Sequence, residues 1–522
     1  MAVNLKYPIG IQSFSEIRER GFVYVDKTEF IHRLVENGKY YFLSRPRRFG
    51  KSLLLSTIHE YYNGRRDLFE GLAITKYDHK WKQYPVLHLD FTGTDYSKPE
   101  GLNNLLNSMF SKWEHEYGIQ ESNPDLGVRF GDIILAAYKN TGNNVAILID
   151  EYDKALLDTV DNLELQETFR NTLRGIYGNL KKMDKYIEFA MLTGITKFGK
   201  LSIFSDLNNL NDISLHQQYA AICGISTQEL RLYFNSGVED FATHFGKTLD
   251  EAYEILKRSY DGYHFSPENL IDVYNPFSLI SALDSASLRD FWFMTGTPRF
   301  LVKMIQNAYF PLQELNDIDV STKDISSVSL SFDDSLVPLL YQSGYLTIKS
   351  VDPHTGFLNL GYPNAEVERG FLDELMKIYF PKANRGTAFS IGKFFKDVQE
   401  GRAEDFMKRL QSLFADFNSD AISLVDLEQH YQDIVFLIFK LLGFMTYVEY
   451  KTAAGRIDLV VKTDNYIYVF EFKRNKSAKE AVDQIDDKGY LIPFRADGRK
   501  IFKIGVNFSD KLKGIENYII QE

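Results

Sequence analysis

The sequence predicts an α/β protein in three parts: an N-terminal parallel sheet, a helix-rich middle region and a C-terminal mixed α/β region. Strand and helix patterns alternate in residues 1–224, helical patterns dominate residues 225–381, and further strands with helices follow in residues 388–522. The chain has 522 residues, of which 44% are hydrophobic and 25% are charged. This length and composition are typical of a globular protein with several domains.

Four short apolar runs in the first part have the length and composition of buried strands. Helical patterns lie between these runs, and such alternation is typical of a parallel sheet covered by helices. A turn and a helical run over residues 51–62 come directly after the first strand. The four predicted strands cover residues 40–44, 85–91, 145–150 and 187–193.

The turn after the first strand has the features of a phosphate-binding loop. It reads Arg45-Pro46-Arg47-Arg48-Phe49-Gly50-Lys51-Ser52. Backbone N–H groups and the helix dipole favour an anion at the start of the next helix. Lys51 can reach the β- and γ-phosphates of a nucleotide, and Ser52 can hold Mg²⁺. The general pattern has Gly at position 45, so Arg45 is a departure from it. The residues expected to bind ATP in this loop are Arg48, Phe49, Gly50, Lys51 and Ser52.

The third predicted strand ends in two carboxylates, Asp150 and Glu151. Asp150 can bind Mg²⁺ as a cofactor of ATP, and Glu151 can orient or deprotonate the attacking water. The alternative is a buried strand that ends in a solvated acidic turn. Together with the phosphate loop, the pair predicts ATP binding and hydrolysis. Thr193, at the end of the next strand, is either a sensor of the γ-phosphate or a helix cap.

These residues resemble the AAA-ATPase-like family found widely in bacteria, over roughly residues 5–285. The family's phosphate loop also begins with Arg, so Arg45 departs only from the general pattern. The resemblance implies an ATPase of the additional-strand type with Glu151 as its catalytic carboxylate. Arg174 and Arg299 are candidates for the arginine finger, and a surface ion pair is the alternative for both. Besides the loop, the matching motifs are Tyr7-Pro8-Ile9-Gly10, Tyr24-Val25-Asp26-Lys27-Thr28, Asp150-Glu151-Tyr152-Asp153, Asp261-Gly262-Tyr263 and Tyr274-Asn275-Pro276.

The middle region begins with Ser226 and Glu229, which have the spacing of a helix-capping box. Farther along, a short helix is followed by two strands around a turn, and this order predicts a winged-helix-like lobe. The predicted elements are a helix over residues 335–343, strands over 345–350 and 357–362, a helix over 365–379 and a linker at 382–387.

The last part carries the residues of a second candidate site on predicted strands. Asp458 lies on one strand, and Glu471 and Lys473 lie on the next, where alternate residues face the same side. Two carboxylates on adjacent strands form an oxygen site suited to Mg²⁺ or Mn²⁺. Gln484, on the following helix, can contact the attacking water or a phosphate, and Glu428 is a candidate third acid. The predicted elements are helices over 401–417, 427–442 and 478–490, and strands over 458–462, 466–473 and 501–507.

This stretch, roughly residues 424–508, resembles the PD-(D/E)XK nuclease superfamily in the form commonly fused to AAA-ATPase-like domains. The resemblance implies Asp458, Glu471 and Lys473 as the catalytic triad and a mixed sheet flanked by helices. For Glu-x-Lys alone, a surface ion pair would be the alternative. Basic side chains outnumber acidic ones in residues 451–503, which suits contacts with a nucleic-acid backbone. Whether the partner is DNA or RNA stays open, as does a homo-oligomer.

The charge, the cysteine content and the hydropathy of the chain limit its possible partners and cellular compartment. The net charge of −11 argues against nucleic-acid binding over the whole surface, and the single cysteine, Cys223, fits a reducing compartment. No apolar run approaches the length of a membrane span, so a cytoplasmic protein is expected. The favoured hypothesis is an ATPase whose nucleotide state controls a metal-dependent nuclease, with defence against foreign nucleic acid as a setting. The alternative is a nucleotide-gated sensor or scaffold that binds nucleic acid without cleaving it.

Overall fold

The computed structural model describes residues 5–120, 122–198, 209–294, 301, 315, 317–328, 336–379, 391–415, 434–440, 445–452, 455–512 and 514–522. The chain forms two compact units. The first unit comprises Met1–Met304 and Asn316–Glu368, and the second comprises Ile305–Leu315 and Arg369–Glu522. Within the described ranges, no helix has the length and apolar character that crossing a lipid bilayer requires. The three-part boundaries predicted from the sequence stay predictions.

The first unit contains a parallel sheet of five strands in the order β2-β3-β4-β1-β5. The strands are β1 (Tyr40–Ser44), β2 (Val86–Asp90), β3 (Val145–Asp150), β4 (Ile187–Gly194) and β5 (Asn211–Asp212). Every residue of β1 and β3 is buried, as expected of strands covered on both faces. Because β4 lies between β1 and β3, the additional strand implied by the resemblance is confirmed.

The helix after β1 is the one that positions the phosphate loop. It covers Lys51–Tyr62 and begins after Gly50, whose φ of 90° is a left-handed conformation that glycine adopts without strain. The loop is therefore pinned between a buried strand and a helix start. The other helices around this sheet are Phe14–Glu19, Thr28–Asn37, Gly101–Glu116, Leu126–Thr141, Lys154–Leu157, Leu163–Tyr177 and Asn179–Lys182, with short 3₁₀ turns at Arg66–Phe69, Ala73–Lys76, Asp184–Tyr186 and Gln217–Tyr219.

The middle of the chain begins with two capped helices. The predicted capping box of Ser226 and Glu229 is confirmed at the start of helix Thr227–Phe245. A left-handed Gly246 ends this helix, and a second capping box at Thr248 starts the next. The remaining elements are helices Leu249–Tyr260, Pro276–Ser285 and Phe291–Met294 and the antiparallel pair β6 (Ile225–Ser226) and β7 (Val273–Tyr274).

A small antiparallel sheet completes the first unit in the order β8-β10-β9. Among the described residues, two helices lie between the strands at 318–320 and 347–351, and the predicted helix and hairpin are confirmed. The first strand was not predicted. We call the described part of residues 317–364 the winged lobe, and helix Ala365–Tyr379 follows it. Its elements are β8 (Ile318–Val320), helices Thr322–Ile325 and Val337–Ser343, β9 (Thr347–Val351) and β10 (Leu358–Gly361).

The second unit is built on a mixed sheet in the order β11-β12-β13-β14-β15. Only β13 and β14 are parallel, and the other neighbours are antiparallel. This is the mixed α/β fold predicted from the sequence, although the first and last strands were not predicted. The strands are β11 (Met445–Thr452), β12 (Gly455–Lys462), β13 (Tyr466–Arg474), β14 (Lys500–Ser509) and β15 (Gly514–Gln521).

Helices cover both faces of this sheet, and each face has its own apolar core. One core contains Phe406, Phe470 and Phe508, and the other contains Ile457, Ile485 and Tyr490. The predicted helix over 427–442 is described only over 434–440, where it is helical, and the predicted linker at 382–387 lies outside the described residues. The helices are Ile391–Gln399, Ala403–Ala415 and Ala478–Asp487, with a 3₁₀ turn at Ile492–Phe494.

Candidate functional site

The carboxyl ends of β1, β3 and β4 meet at one edge of the parallel sheet, where ligands of such sheets bind. Asp150, at the end of β3, is buried, and its Oδ1 accepts hydrogen bonds from Glu151 N at 3.0 Å and Thr193 Oγ1 at 2.6 Å. The structure thus places Thr193 against the predicted Mg²⁺ carboxylate. Its hydroxyl fixes the direction in which Asp150 points.

The two charged groups of predicted ATP chemistry lie close to each other. Lys51 Nζ donates to the carbonyl oxygens of Arg45 at 2.9 Å and Pro46 at 3.0 Å, so the ammonium lies on the loop itself. Glu151 has a φ of 50°, an unusual value for a residue other than glycine and one that is often associated with functional sites. Burial raises the pKa of Glu151, and the nearby Lys51 opposes this effect. A raised pKa suits a carboxylate that accepts a proton.

Arg45 is an anchor of the loop rather than a ligand in its cavity. Its guanidinium is buried and donates to the carbonyl oxygens of Ser44, Ser214 and Tyr219 at 2.9, 2.7 and 3.1 Å. The guanidinium also lies 4.2 Å from the centre of the Phe265 ring. Burial lowers the pKa of Arg45. These contacts give a physical reason for Arg where the general pattern has Gly, since they tie the loop to the chain after β5.

A cavity of about 300 Å³ lies beside the loop and has the dimensions of a ligand pocket. Lys51, Ser52 and Glu151 give it a polar end. Its apolar walls come from the segment 8–12 and from helix Pro276–Ser285. Sequence reasoning quoted both motifs without assigning them a role, because nothing in either motif shows that they face one cavity. The apolar wall residues from these two segments are Pro8, Ile9, Ile11, Pro276, Phe277 and Ile280.

The remaining loop residues predicted to bind ATP point in different directions. Arg48 is exposed, lines the cavity and stacks on Phe277 with its guanidinium 4.9 Å from the ring centre. Phe49 is buried, and its ring centre lies 4.8 Å from that of Tyr263. Its side chain therefore packs into the core, and only its backbone could contact a bound nucleotide. Sequence reasoning quoted Asp153 in a motif without assigning it a role; its buried Oδ2 accepts from the N–H groups of residues 195 and 196 at 3.0 and 2.7 Å and fixes the turn after β4.

The second candidate site lies on β12 and β13. Leu459 pairs with Phe470 across these antiparallel strands, and continuing this register by one residue brings Asp458 opposite Glu471. Opposite residues of an antiparallel pair share a face. Asp458 Oδ2 accepts from the backbone N–H of Phe472 at 2.7 Å, which fixes its side chain beside Glu471. The structure therefore brings the two predicted carboxylates together.

Glu471 is the centre of this site. Its Oε1 accepts hydrogen bonds from Lys473 Nζ at 3.0 Å and from Gln484 Nε2. Burial, and then the charge of Asp458, raise the pKa of Glu471 to about 7. Among the described residues, its buried Oε2 has no hydrogen-bond donor. An acceptor of this kind beside a second carboxylate fits a divalent cation, because oxygen ligands are those that Mg²⁺ and Mn²⁺ prefer.

A close approach of helix and sheet lets Gln484 reach Glu471. Helix Ala478–Asp487 packs over Gly505 of β14, where a Cβ atom would lie 2.4 Å from the carbonyl oxygen of Ala478. Only glycine leaves room for this contact. Gly505 also pairs with Glu471 across the parallel strands, so the absent side chain lies next to the site. Sequence reasoning found the glutamine but had no signal for this glycine.

The described geometry of the two sites does not include three of the residues that the sequence predicted. Glu428, the candidate third acid, and Arg299, a candidate arginine finger, lie outside the described residues. Arg174 is exposed on helix Leu163–Tyr177, and its role as an arginine finger stays a prediction. Over the described part of the chain, no three acidic, histidine or cysteine side chains are grouped to hold a metal ion. Among the described residues, the predicted cation ligands that lie side by side are Asp458 and Glu471.

The parallel sheet with its phosphate loop and the mixed sheet with its paired carboxylates define an ATPase-like unit and a nuclease-like unit. A family model described as a predicted AAA-ATPase matches residues 8–204, and a model of the PD-(D/E)XK nuclease superfamily matches residues 426–517. The chain is 34% identical over 538 aligned positions to an uncharacterized protein in the vnfD 5′ region of Azotobacter chroococcum mcd 1, covering 99% of both chains. It belongs to the family of proteins that join these two domains.

Proposed function

We propose that this protein binds and hydrolyses ATP in its first unit. The observation that supports this is the convergence of Lys51, Asp150 and Glu151 at one edge of the parallel sheet, beside a cavity with apolar walls. Lys51 would bind the β- and γ-phosphates, and Ser52 and Asp150 would hold Mg²⁺. Glu151 would accept a proton from the attacking water, and Thr193 would keep Asp150 in place.

We propose that the second unit cleaves phosphodiester bonds of DNA or RNA. The arrangement that carries this proposal is the set Asp458, Glu471, Lys473 and Gln484, with one buried Glu471 oxygen left for a further ligand. Asp458 and Glu471 would hold Mg²⁺ or Mn²⁺, which when bound polarises the scissile phosphate and activates water. Lys473 would balance charge on the phosphate, and Gln484 would orient Glu471.

The two activities would be linked, with ATP altering the rate or substrate choice of the nuclease. A nucleotide has this effect only if it binds two conformations with different affinity. The pairing of these domains suggests defence against foreign nucleic acid as a setting. A nucleotide-gated scaffold that binds nucleic acid without cleaving it is the competing function. The complete set of Asp458, Glu471 and Lys473 favours the enzyme, because binding alone needs no such set.

Calorimetric titration with ATP and Mg²⁺ tests the first site. Lys51→Ala should abolish or severely weaken binding, because the loop loses the cation aimed at the phosphates. Glu151→Gln should keep binding and lose hydrolysis, because the carboxylate that accepts the proton is gone. Lys98→Ala, which removes an exposed lysine with a side-chain exposure of 64%, is the matched control. Unchanged affinity in Lys51→Ala would overturn the assignment.

A further inference from the structure

Trp292 connects the phosphate loop with the rest of the first unit. It lies on the short helix Phe291–Met294 and is only 5% exposed. Its indole Nε1 donates a hydrogen bond to the carbonyl oxygen of Arg47 at 3.2 Å. Arg47 belongs to the loop and lines the candidate ATP cavity. An indole has one hydrogen-bond donor, and here it is directed at the backbone of the loop.

The backbone of Trp292 is held in turn by Glu366, a carboxylate with no exposed surface. Glu366 Oε1 accepts from the N–H of Trp292 at 2.7 Å and from the hydroxyl of Ser278 at 3.0 Å. Ser278 lies on helix Pro276–Ser285, which forms one wall of the cavity. A single buried carboxylate therefore joins the helix after the winged lobe, the wall of the cavity and the tryptophan that reaches the loop.

The winged lobe contacts the same loop directly. The ring of Tyr345 lies 5.0 Å from the ring of Trp292. Gly344, next to it, lies so close to Pro46 that a Cβ atom would be 2.7 Å from the proline ring. From these contacts, residues 46 and 47 of the loop each pack against a partner outside the loop. A movement of this backbone would displace Trp292 and the winged lobe, because closely packed interiors transmit strain.

The proposed binding of a nucleotide would act on this same stretch of backbone. The ammonium of Lys51 donates to the carbonyl oxygens of Arg45 and Pro46. Two of its three N–H donors are used in this way, and an ammonium drawn toward the phosphates would lengthen or break these two hydrogen bonds, which leaves the carbonyl groups free to reorient. The next carbonyl along the chain is that of Arg47, the acceptor of the Trp292 indole.

We propose that Trp292, which Glu366 holds in place, is a positioning residue of the phosphate loop and that it transmits nucleotide occupancy to the winged lobe through its contact with Tyr345. This inference rests on the proposed binding of ATP by the loop. The indole supports the loop conformation in which Lys51 lies on its own carbonyl groups. Nucleotide binding competes with that conformation, and the contact of Trp292 changes as the phosphates draw Lys51 away.

Tryptophan fluorescence measures this change directly, because the chain has three tryptophans. The full-length variant Trp81→Phe/Trp113→Phe retains Trp292 as its one tryptophan. Titration with ATP and Mg²⁺ should change its emission along a saturable curve that coincides with the calorimetric binding curve of the same variant. Adding Trp292→Phe gives a tryptophan-free control, whose signal measures the background emission of the tyrosines and is subtracted. Glu366→Gln keeps an acceptor oxygen for Trp292 N and Ser278 and should retain the response.

Trp292→Phe in the otherwise natural chain gives the second readout. The ring packing stays while the indole donor is lost, so ATP should bind about fivefold more tightly, a change equivalent to one net hydrogen bond. Two results would overturn the inference without contradicting the ATP site. One is calorimetric heat of ATP binding with no change in Trp292 emission, and the other is an unchanged ATP affinity in Trp292→Phe. Absence of heat with the natural chain would overturn the ATP site itself and the inference with it.

Discussion

Protonation of Glu471 should compete with the divalent cation of the nuclease-like site. Burial and the neighbouring Asp458 raise the pKa of Glu471 to about 7, whereas its ordinary value is 4.5. A cation needs the ionised carboxylate, so it must displace the proton wherever one is bound. The raised pKa therefore puts the competition into a pH range that is easy to measure. For an exposed glutamate, the competition between proton and cation would occur at a much lower pH.

The size of the effect follows from this pKa. At about pH 7 roughly half of the folded molecules carry the proton on Glu471, and at about pH 6 roughly nine in ten carry it. The apparent affinity for Mn²⁺ should thus fall about tenfold for each pH unit below the pKa and level off above about pH 8. The sign is fixed, because a lower pH adds the competing proton. Each Mn²⁺ bound near pH 6 should release about one proton from this residue.

Calorimetry with Mn²⁺ in buffers of different ionisation enthalpy measures both the affinity and the number of protons released. Glu471→Gln removes the titrating group and one cation ligand, so both binding and proton release should be lost. Asp464→Asn, at the exposed turn between β12 and β13, is the matched control and should behave like the natural chain. An Mn²⁺ affinity that stays constant from about pH 6 to pH 8.5 would refute the reasoning.

Three further predictions follow from the contacts around the two sites. Arg45→Gly restores the general loop pattern, yet it should lower the free energy of unfolding by about 3 kcal/mol in a denaturant titration, because the guanidinium hydrogen bonds to three buried carbonyl groups are lost; unchanged stability would contradict the anchoring role. Gly505→Ala should cost about 2 kcal/mol and weaken Mn²⁺ binding, because its methyl group displaces helix Ala478–Asp487, and a variant with natural Mn²⁺ affinity would show that the close approach is unimportant. ATP should change the nuclease rate in the natural chain and leave it unchanged in Lys51→Ala, whereas a flat response in both would mean independent sites.

The elements that the sequence predicted well are those with an unambiguous apolar pattern. The predicted bounds of β1 and β3 coincide with the observed ones, since both strands are apolar runs buried along their whole length. The predicted bounds of helix Ala365–Tyr379 also coincide with the observed ones. In the second unit, Asp458 and Glu471 lie on neighbouring strands as their spacing indicated. Motifs within one strand or one turn could be located because their chemistry depends on near neighbours in the chain.

Contacts between distant parts of the chain were beyond the reach of the sequence. β15 alternates apolar and polar residues only in part, and at the edge of the sheet it carries several exposed side chains. The apolar walls of the candidate ATP cavity come from segments 8–12 and 276–280, and no periodicity shows that they meet. The roles of Arg45 and Trp292 depend on backbone carbonyl groups, which are the same for every residue type and leave no signal in the sequence.

A strand-cleavage assay tests the central claim most directly. The purified full-length chain is incubated with plasmid, linear and single-stranded DNA and with RNA, with and without ATP, in the presence of Mg²⁺ or Mn²⁺. We predict cleavage of at least one substrate that requires the divalent cation, is lost in Asp458→Ala and is retained in the exposed control Asp464→Ala. Cleavage that persists unchanged in folded Asp458→Ala, or binding of nucleic acid without cleavage of any substrate in either ATP condition, would contradict the account.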